Sequence, residues 1–226
     1  MIGYILKPFY KINYHVFYGR CYKWMINNIS FFKPIKDTAS NETPIPFKQW
    51  MRFKLLNSKS PGPYWPIHKT SIFSGSWKNV FVGIDAGPTV SPGCYVQAIG
   101  EIHIGNYSQV APNVGIISSN HFMLDIRKHV KGKVVIGEYC RIGMGSIIHP
   151  NVVLGDFVTV SAGSIVKDSF EKGYCVIAGN PAVIVMDYSD NENLKAKFVK
   201  YKNENEYNGF IPSNEFEDFR KKHLNV

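Results

Sequence analysis

A chain of 226 residues, 45% hydrophobic and 19% charged, is long enough for one domain with appendages and too apolar to be disordered throughout. Its 26 Lys and Arg outnumber 17 Asp and Glu, and the formal net charge of +9 favours an anionic partner such as a phosphorylated cofactor, a membrane surface or nucleic acid. The basic residues are scattered and form no block or nucleic-acid fingerprint, so no nucleic-acid partner is expected. Cys21, Cys94, Cys140 and Cys175 show no CxxC spacing and read as thiols of a reducing compartment. Lys7, Lys11, His15, Arg20 and Lys23 interrupt every N-terminal apolar run, which argues against a signal peptide. No stretch reaches the roughly 18 to 20 apolar residues of a membrane span. These features predict a cytoplasmic protein.

Residues 4–32 are expected to be helical, with Tyr10, Tyr14, Phe17, Cys21 and Trp24 on one face. Such a face either docks on protein or, with basic residues between the aromatics, lies as a peripheral contact on the inner face of a membrane. A Pro-rich connector follows, with Pro34, Pro44, Pro46, Pro61, Pro63 and Pro66, and predicts an extended, wrapping path. From about residue 77 a short aliphatic–Gly rhythm begins at Val80, Val82-Gly83 and Ile84, and continues through Val90, Val96, Ile104-Gly105, Val110 and Ile116. The register slips by two residues between Val96 and Ile104, where a bulge or short insertion is expected.

The rhythm stops after Ile117 for about 18 residues and resumes at Ile136. The gap, 118–135, carries His121, Asp125, Arg127, Lys128, His129, Lys131 and Lys133, and is expected to be a loop extruded from a stiff scaffold. Ile136, Ile142, Ile148, Leu154, Val160 and Val166 then recur at strict six-residue intervals, with Cys140, Ser146, Val152, Val158 and Ser164 four residues after the first five. Gly follows the aliphatic residue at 137, 143 and 155. A repeat this regular means one short unit stacked on itself. Beyond Val185 the chain turns charged, and residues 189–203 and 213–224 are expected to form helical tail that covers the open end of the stack.

The run Ile136-Gly137-Glu138-Tyr139-Cys140-Arg141-Ile142-Gly143, continuing through Ala162-Gly163-Ser164-Ile165-Val166-Lys167-Asp168 to Ala178-Gly179-Asn180-Pro181-Ala182, resembles the hexapeptide-repeat acyltransferases. Ala111-Pro112-Asn113-Val114 and Asn120-His121 strengthen the likeness to the maltose and galactoside O-acetyltransferases and to the O-antigen and capsule O-acetyltransferases. The resemblance spans roughly residues 75–186. It implies a mainly β fold: a left-handed parallel β-helix with about three hexads per coil. The domains would be an N-terminal helical and Pro-rich segment (1–74), the β-helix with its loop (75–186) and a C-terminal helical tail (187–226). It further implies a homotrimer that binds acetyl-CoA between subunits and acetylates a carbohydrate in surface-polysaccharide assembly.

Residue by residue, the resemblance makes His121 the catalytic base. An imidazole can take the acceptor's hydroxyl proton and return it to the departing thiolate. Phe122 stands where many relatives have Pro. Asp125 either orients the imidazole or is a solvated charge. Met144 would lie beside the thioester, with Ala162 and Lys167 along the pantetheine and phosphate end. Gln97 and Asn120 are the candidate acceptor contacts, and Asn113 fits a left-handed turn. Val183 and Met186 replace the usual basic residues for the nucleotide phosphates, and Arg141 replaces a frequent Trp. His103, His121 and His149 lack the closely spaced pair of a β-helix zinc hydratase, so no metal is expected. Direct O-acetyl transfer leads; the alternatives are N-acetyl transfer to an amino sugar and a non-catalytic glycan-binding scaffold.

Overall fold

A computed structural model describes residues 19–37, 47, 48, 50, 51, 63, 65–204, 218 and 221. The chain divides into two compact units, Met1–Trp50 and Met51–Val226. In the first, residues 19–28 are helical, followed by a 3-10 turn, Ser30–Phe32, and a short helix, Lys33–Asp37. Aromatic rings hold this unit together. Phe31 packs on Phe32 and Trp50 at 4.9 and 5.8 Å, Phe32 on Phe47 at 5.5 Å, and the Trp50 indole N–H donates to the Phe31 carbonyl. Of the expected N-terminal aromatic face, Tyr10, Tyr14 and Phe17 lie outside the described residues, while Cys21 is exposed and Trp24 is 63% exposed. No described helix is long and apolar enough to cross a membrane.

The second unit is a parallel β-helix with three faces. One face stacks Ile72–Gly75, Tyr95–Ala98, Gly115–Ile117, Ile147–Ile148 and Ile165–Val166. The second stacks Val80–Val82, Glu101–Ile104, Lys133–Ile136 and Val153–Leu154. The third runs from Gln109–Val110 through Arg141–Ile142, Thr159–Val160 and Cys175–Gly179 to Ala182–Asp187. Within the three faces pairing is parallel, except that Ala182–Asp187 returns antiparallel on Cys175–Gly179. One full coil takes 18 residues, since Arg141 lies beside Thr159, Ile147 beside Ile165 and Val135 beside Val153.

The hexad pattern maps directly onto this section. Ile136, Ile142, Ile148, Leu154, Val160 and Val166 all point inward and are 0–1% exposed. The second small or β-branched position of each hexad, Cys140, Ser146, Val152, Val158 and Ser164, is buried with them. The two hydroxyls among these five residues are satisfied, with Ser146 and Ser164 both donating to the Ser161 carbonyl. Cys94 and Cys140 fill equivalent small-residue sites, and burial pushes the Cys140 thiol up to about 12. Glycine follows the leading aliphatic residue where coils approach most closely. A Cβ on Gly105 would meet Gly137 at 2.5 Å, and one on Gly137 would meet Gly155 at 2.5 Å.

Two details depart from the expected rhythm. Val90 is only half-buried in an irregular turn, and the buried Thr89 takes the inward position, its hydroxyl accepting from the Trp65 indole. The two-residue slip after Val96 is a corner, Ile99–Gly100, between adjacent strands. Aromatic rings line one corner of the stack. Tyr107, Tyr139, Phe157 and Tyr174 occupy the same corner of successive coils, each with φ between +51 and +58°. Their rings stack at 5.0, 5.2 and 5.3 Å, close to the strand spacing of a sheet. The helix Glu192–Glu204 docks on this ladder, with Phe198 against Phe157 and Tyr174 and the Lys195 ammonium 5.6 Å over the Tyr174 ring. Most of the second expected tail helix lies outside the described residues.

Because the core is one column of interlocking aliphatic residues, Ile148→Ala should cost about 2–5 kcal/mol. In a chain of this length that is a fall in Tm of roughly 5–15 °C, measurable by differential scanning calorimetry.

Candidate active site

The interruption of the repeat is an antiparallel ribbon, not an irregular loop. Ser119–Phe122 pairs with Asp125–Lys131, and the chain turns at Met123-Leu124. The ribbon leaves the stack at the corner between the first and second faces. Ser118 and Gly132 close its root, where the Gly132 N–H donates to the Ser118 carbonyl. Gln97, one coil below, latches that root. Its side-chain carbonyl accepts from both the Ser119 N–H and the Ser119 hydroxyl. The expected acceptor contact thus stands as a brace two residues before His121.

His121 is exposed on the ribbon, and its Nδ1 lies on the Ile126 carbonyl. A carbonyl only accepts, so Nδ1 carries a hydrogen, and in the neutral imidazole the lone pair is then on Nε2. That is the tautomer a general base requires. The orienting group is therefore a main-chain carbonyl rather than the Asp125 carboxylate. A bulge makes it available: His121 pairs with His129 and Phe122 with Asp125, so Ile126, Arg127 and Lys128 have no opposing residues.

Asp125 shapes this bulge. Its carboxylate accepts from the Arg127 Nε at 2.9 Å, the Arg127 Nη2 at 3.1 Å and the Arg127 backbone N–H, with the Lys128 ammonium 3.7 Å away. The Arg127 side chain is the main reason that its carboxyl is held below the usual carboxylate range. The sign follows: this brace is complete above the ordinary carboxylate value of about 3.9 and is lost as pH falls through the lowered one. Asn120 follows the alternation of the strand and projects from the ribbon face opposite His121.

The expected cofactor residues fall on two corners. Met144 and Ala162 sit one coil apart on the corner between the third and first faces, tied by the Gly163 N–H donating to the Met144 carbonyl. Beside them Gly145 and Gly163 both have φ +71°, and a Cβ on either would meet nothing. This corner is an open ledge of bare backbone on which a thin ligand can lie. Lys167 is exposed across the first face, on the corner from which the ribbon leaves. Asn113 has φ +59°, the left-handed turn expected of it. Val183 and Met186 are 57% and 55% exposed on the last strand. Among the described residues, no group of three or more His, Cys, Asp or Glu could hold a metal ion. His103 instead stacks on Phe81 and pairs with Glu101.

Fold and repeat together define a hexapeptide-repeat β-helix protein. Residues 121–168 match the bacterial transferase hexapeptide family as six repeats. A maltose O-acetyltransferase from Clostridium difficile 630 shares the fold, with a TM-score of 0.50 and 22% identity over 72% of this chain and 90% of that one. A hexapeptide-repeat containing acetyltransferase from Vibrio cholerae O1 biovar eltor, complexed with acetyl coenzyme A, has a TM-score of 0.47 and 20% identity over 70% and 98%. An N-acyltransferase from Bacillus cereus in complex with dTDP and coenzyme A has a TM-score of 0.42 and 20% identity over 60% and 87%. No curated protein sequence matches this chain.

Two site features have no side-chain signature in the sequence: the Ile126 carbonyl, and the bulge that frees it. If Asp125 holds the bulge, Asp125→Ala should speed trypsin cleavage after Arg127 and Lys128 several-fold while Tm stays within about 1 °C, because the ribbon stands outside the core. Limited proteolysis with a parallel thermal melt measures both.

Proposed function

We propose that this protein is an acetyl-CoA-dependent O-acetyltransferase that modifies a sugar hydroxyl in surface-polysaccharide biosynthesis, with His121 as general base. The observation that carries this reading is the His121 imidazole, with Nδ1 engaged by Ile126 and Nε2 free. The hexapeptide match and the fold shared with a maltose O-acetyltransferase support the reaction class. Nε2 takes the hydroxyl proton as the sugar oxygen attacks the thioester carbonyl. The tetrahedral intermediate then collapses, the carbon–sulfur bond breaks, and the imidazolium returns the proton to the sulfur. No acyl-enzyme is needed.

The open ledge at Met144 and Ala162 suits a pantetheine arm, because bare glycine backbone permits close approach. His121 and this ledge belong to different corners of the section. A homotrimer, with the ribbon of one subunit beside the ledge of the next, would bring them together, and it forms part of this proposal with a cytoplasmic location. Replacing His121 with Ala should lower kcat by about two to four orders of magnitude while the fold and oligomer persist. Thiol release from acetyl-CoA in the presence of surface-glycan fragments measures this, and near wild-type turnover would sink the reading.

A second reading, a non-catalytic glycan-binding scaffold, rests on the exposed Val183 and Met186, apolar side chains at positions where the resemblance implies basic ones for the nucleotide phosphates. Calorimetry separates the two. The transferase should bind acetyl-CoA with micromolar to millimolar affinity, on the order of typical KM values. A scaffold would give no heat of binding.

A further inference from the structure

We infer that His129 is a positioning residue for His121, holding the plane of the catalytic imidazole by a ring-on-ring contact across the ribbon; the inference rests on His121 being the base. The two histidines are directly opposed on the paired strands. Opposed residues project from the same face of a ribbon, and here the ring centroids lie 4.4 Å apart with the planes tilted by 41°. The next pair on the same face toward the stack, Ser119 and Lys131, flanks them on one side. The bulge with Ile126, Arg127 and Lys128 flanks them on the other.

The two contacts on His121 constrain different motions. The hydrogen bond to Ile126 fixes the tautomer and anchors one edge of the ring. A single hydrogen bond leaves the imidazole free to rock about that anchor, because the second side-chain torsion of histidine has a broad, shallow profile. His129 lies against the ring and removes that freedom. Nε2, on the edge away from Ile126, is then held in one direction. A near-attack geometry depends on such control, and a small misplacement of the base costs turnover more than binding. What this role requires of residue 129 is a flat ring, and no nitrogen.

That requirement gives the test, which uses His129→Phe and His129→Ala in the full-length protein. Side-chain nitrogen–proton NMR correlation at alkaline pH reads the His121 tautomer without any acceptor. All three proteins should keep the Nδ1–H form that Ile126 sets, whereas ring carbon relaxation should show a mobile His121 imidazole in His129→Ala and a held one in the wild type and His129→Phe. In turnover, His129→Ala should lose about tenfold in kcat with KM for acetyl-CoA unchanged, and His129→Phe should stay within about twofold of wild type. A His121 ring as rigid in His129→Ala as in the wild type, whatever the turnover, overturns the proposal. So does a His129→Phe protein as impaired as the Ala variant, since the imidazole nitrogen would then be the active feature. If the spectra behave as expected while His121→Ala remains fully active, the acetyltransferase reading fails and the hold of His129 on His121 stands.

Discussion

Three flat faces must advance by one strand spacing per coil at the same time, and every other feature of the β-helix serves that requirement. The spacing is about 4.8 Å, so the residues facing the axis in one coil touch those of the next with no room for a change of size. Aliphatic side chains close each strand and smaller ones sit just before them, as Ile142 and Cys140 do. The corners have less room still, which is why Gly105, Gly137 and Gly155 follow one another where backbone meets backbone. The 18-residue period repeats all three six-residue sides together.

A scaffold built this way tolerates an insertion only where a strand has already ended. The ribbon uses such a corner. Its root is locked to the coils by Ser118, Gly132 and Gln97, so it inherits the stiffness of the stack even though its tip is exposed. Within it, the bulge turns one carbonyl toward His121, and Asp125 with Arg127 keeps that bulge in shape. The chain of support runs from an aliphatic core through a latched root and a braced bulge to one ring nitrogen. Each link is ordinary chemistry, and together they give the His121 Nδ1 a fixed main-chain partner.

The parts dictated by side-chain size and period were legible in the sequence. Ile136 through Val166 declared the inward face, and their spacing declared the coil. His121 stands out as a candidate because it lies near the start of the long break in the pattern. What could not be read was carried by main chain or by register. Whether Asp125 would orient His121 depended on a bulge that changes which residues face each other. The partner it supplies, the Ile126 carbonyl, is a group that every residue possesses. The antiparallel pairing that sets His129 against His121 was hidden because polar residues on both faces of 118–135 obscure the two-residue alternation of a strand. Val90 shows the converse failure, an aliphatic residue in the right rhythm whose place inside is taken by Thr89.

The return strand Ala182–Asp187 bears on a hazard common to all open-ended stacks. A coil that ends in a parallel strand offers a second molecule the same edge that its own next coil would have filled, and end-to-end filaments could grow from it. Here the last strand of the third face runs backwards against Cys175–Gly179, so an incoming parallel coil would find its hydrogen-bonding groups out of phase. The ladder of rings is guarded as well, since the Lys195 ammonium stands over Tyr174, where the ring of an added coil would have to stack. The C-terminal end of the stack thus works as a terminator, limiting growth by strand direction, by charge and by the helix that covers the ladder of rings.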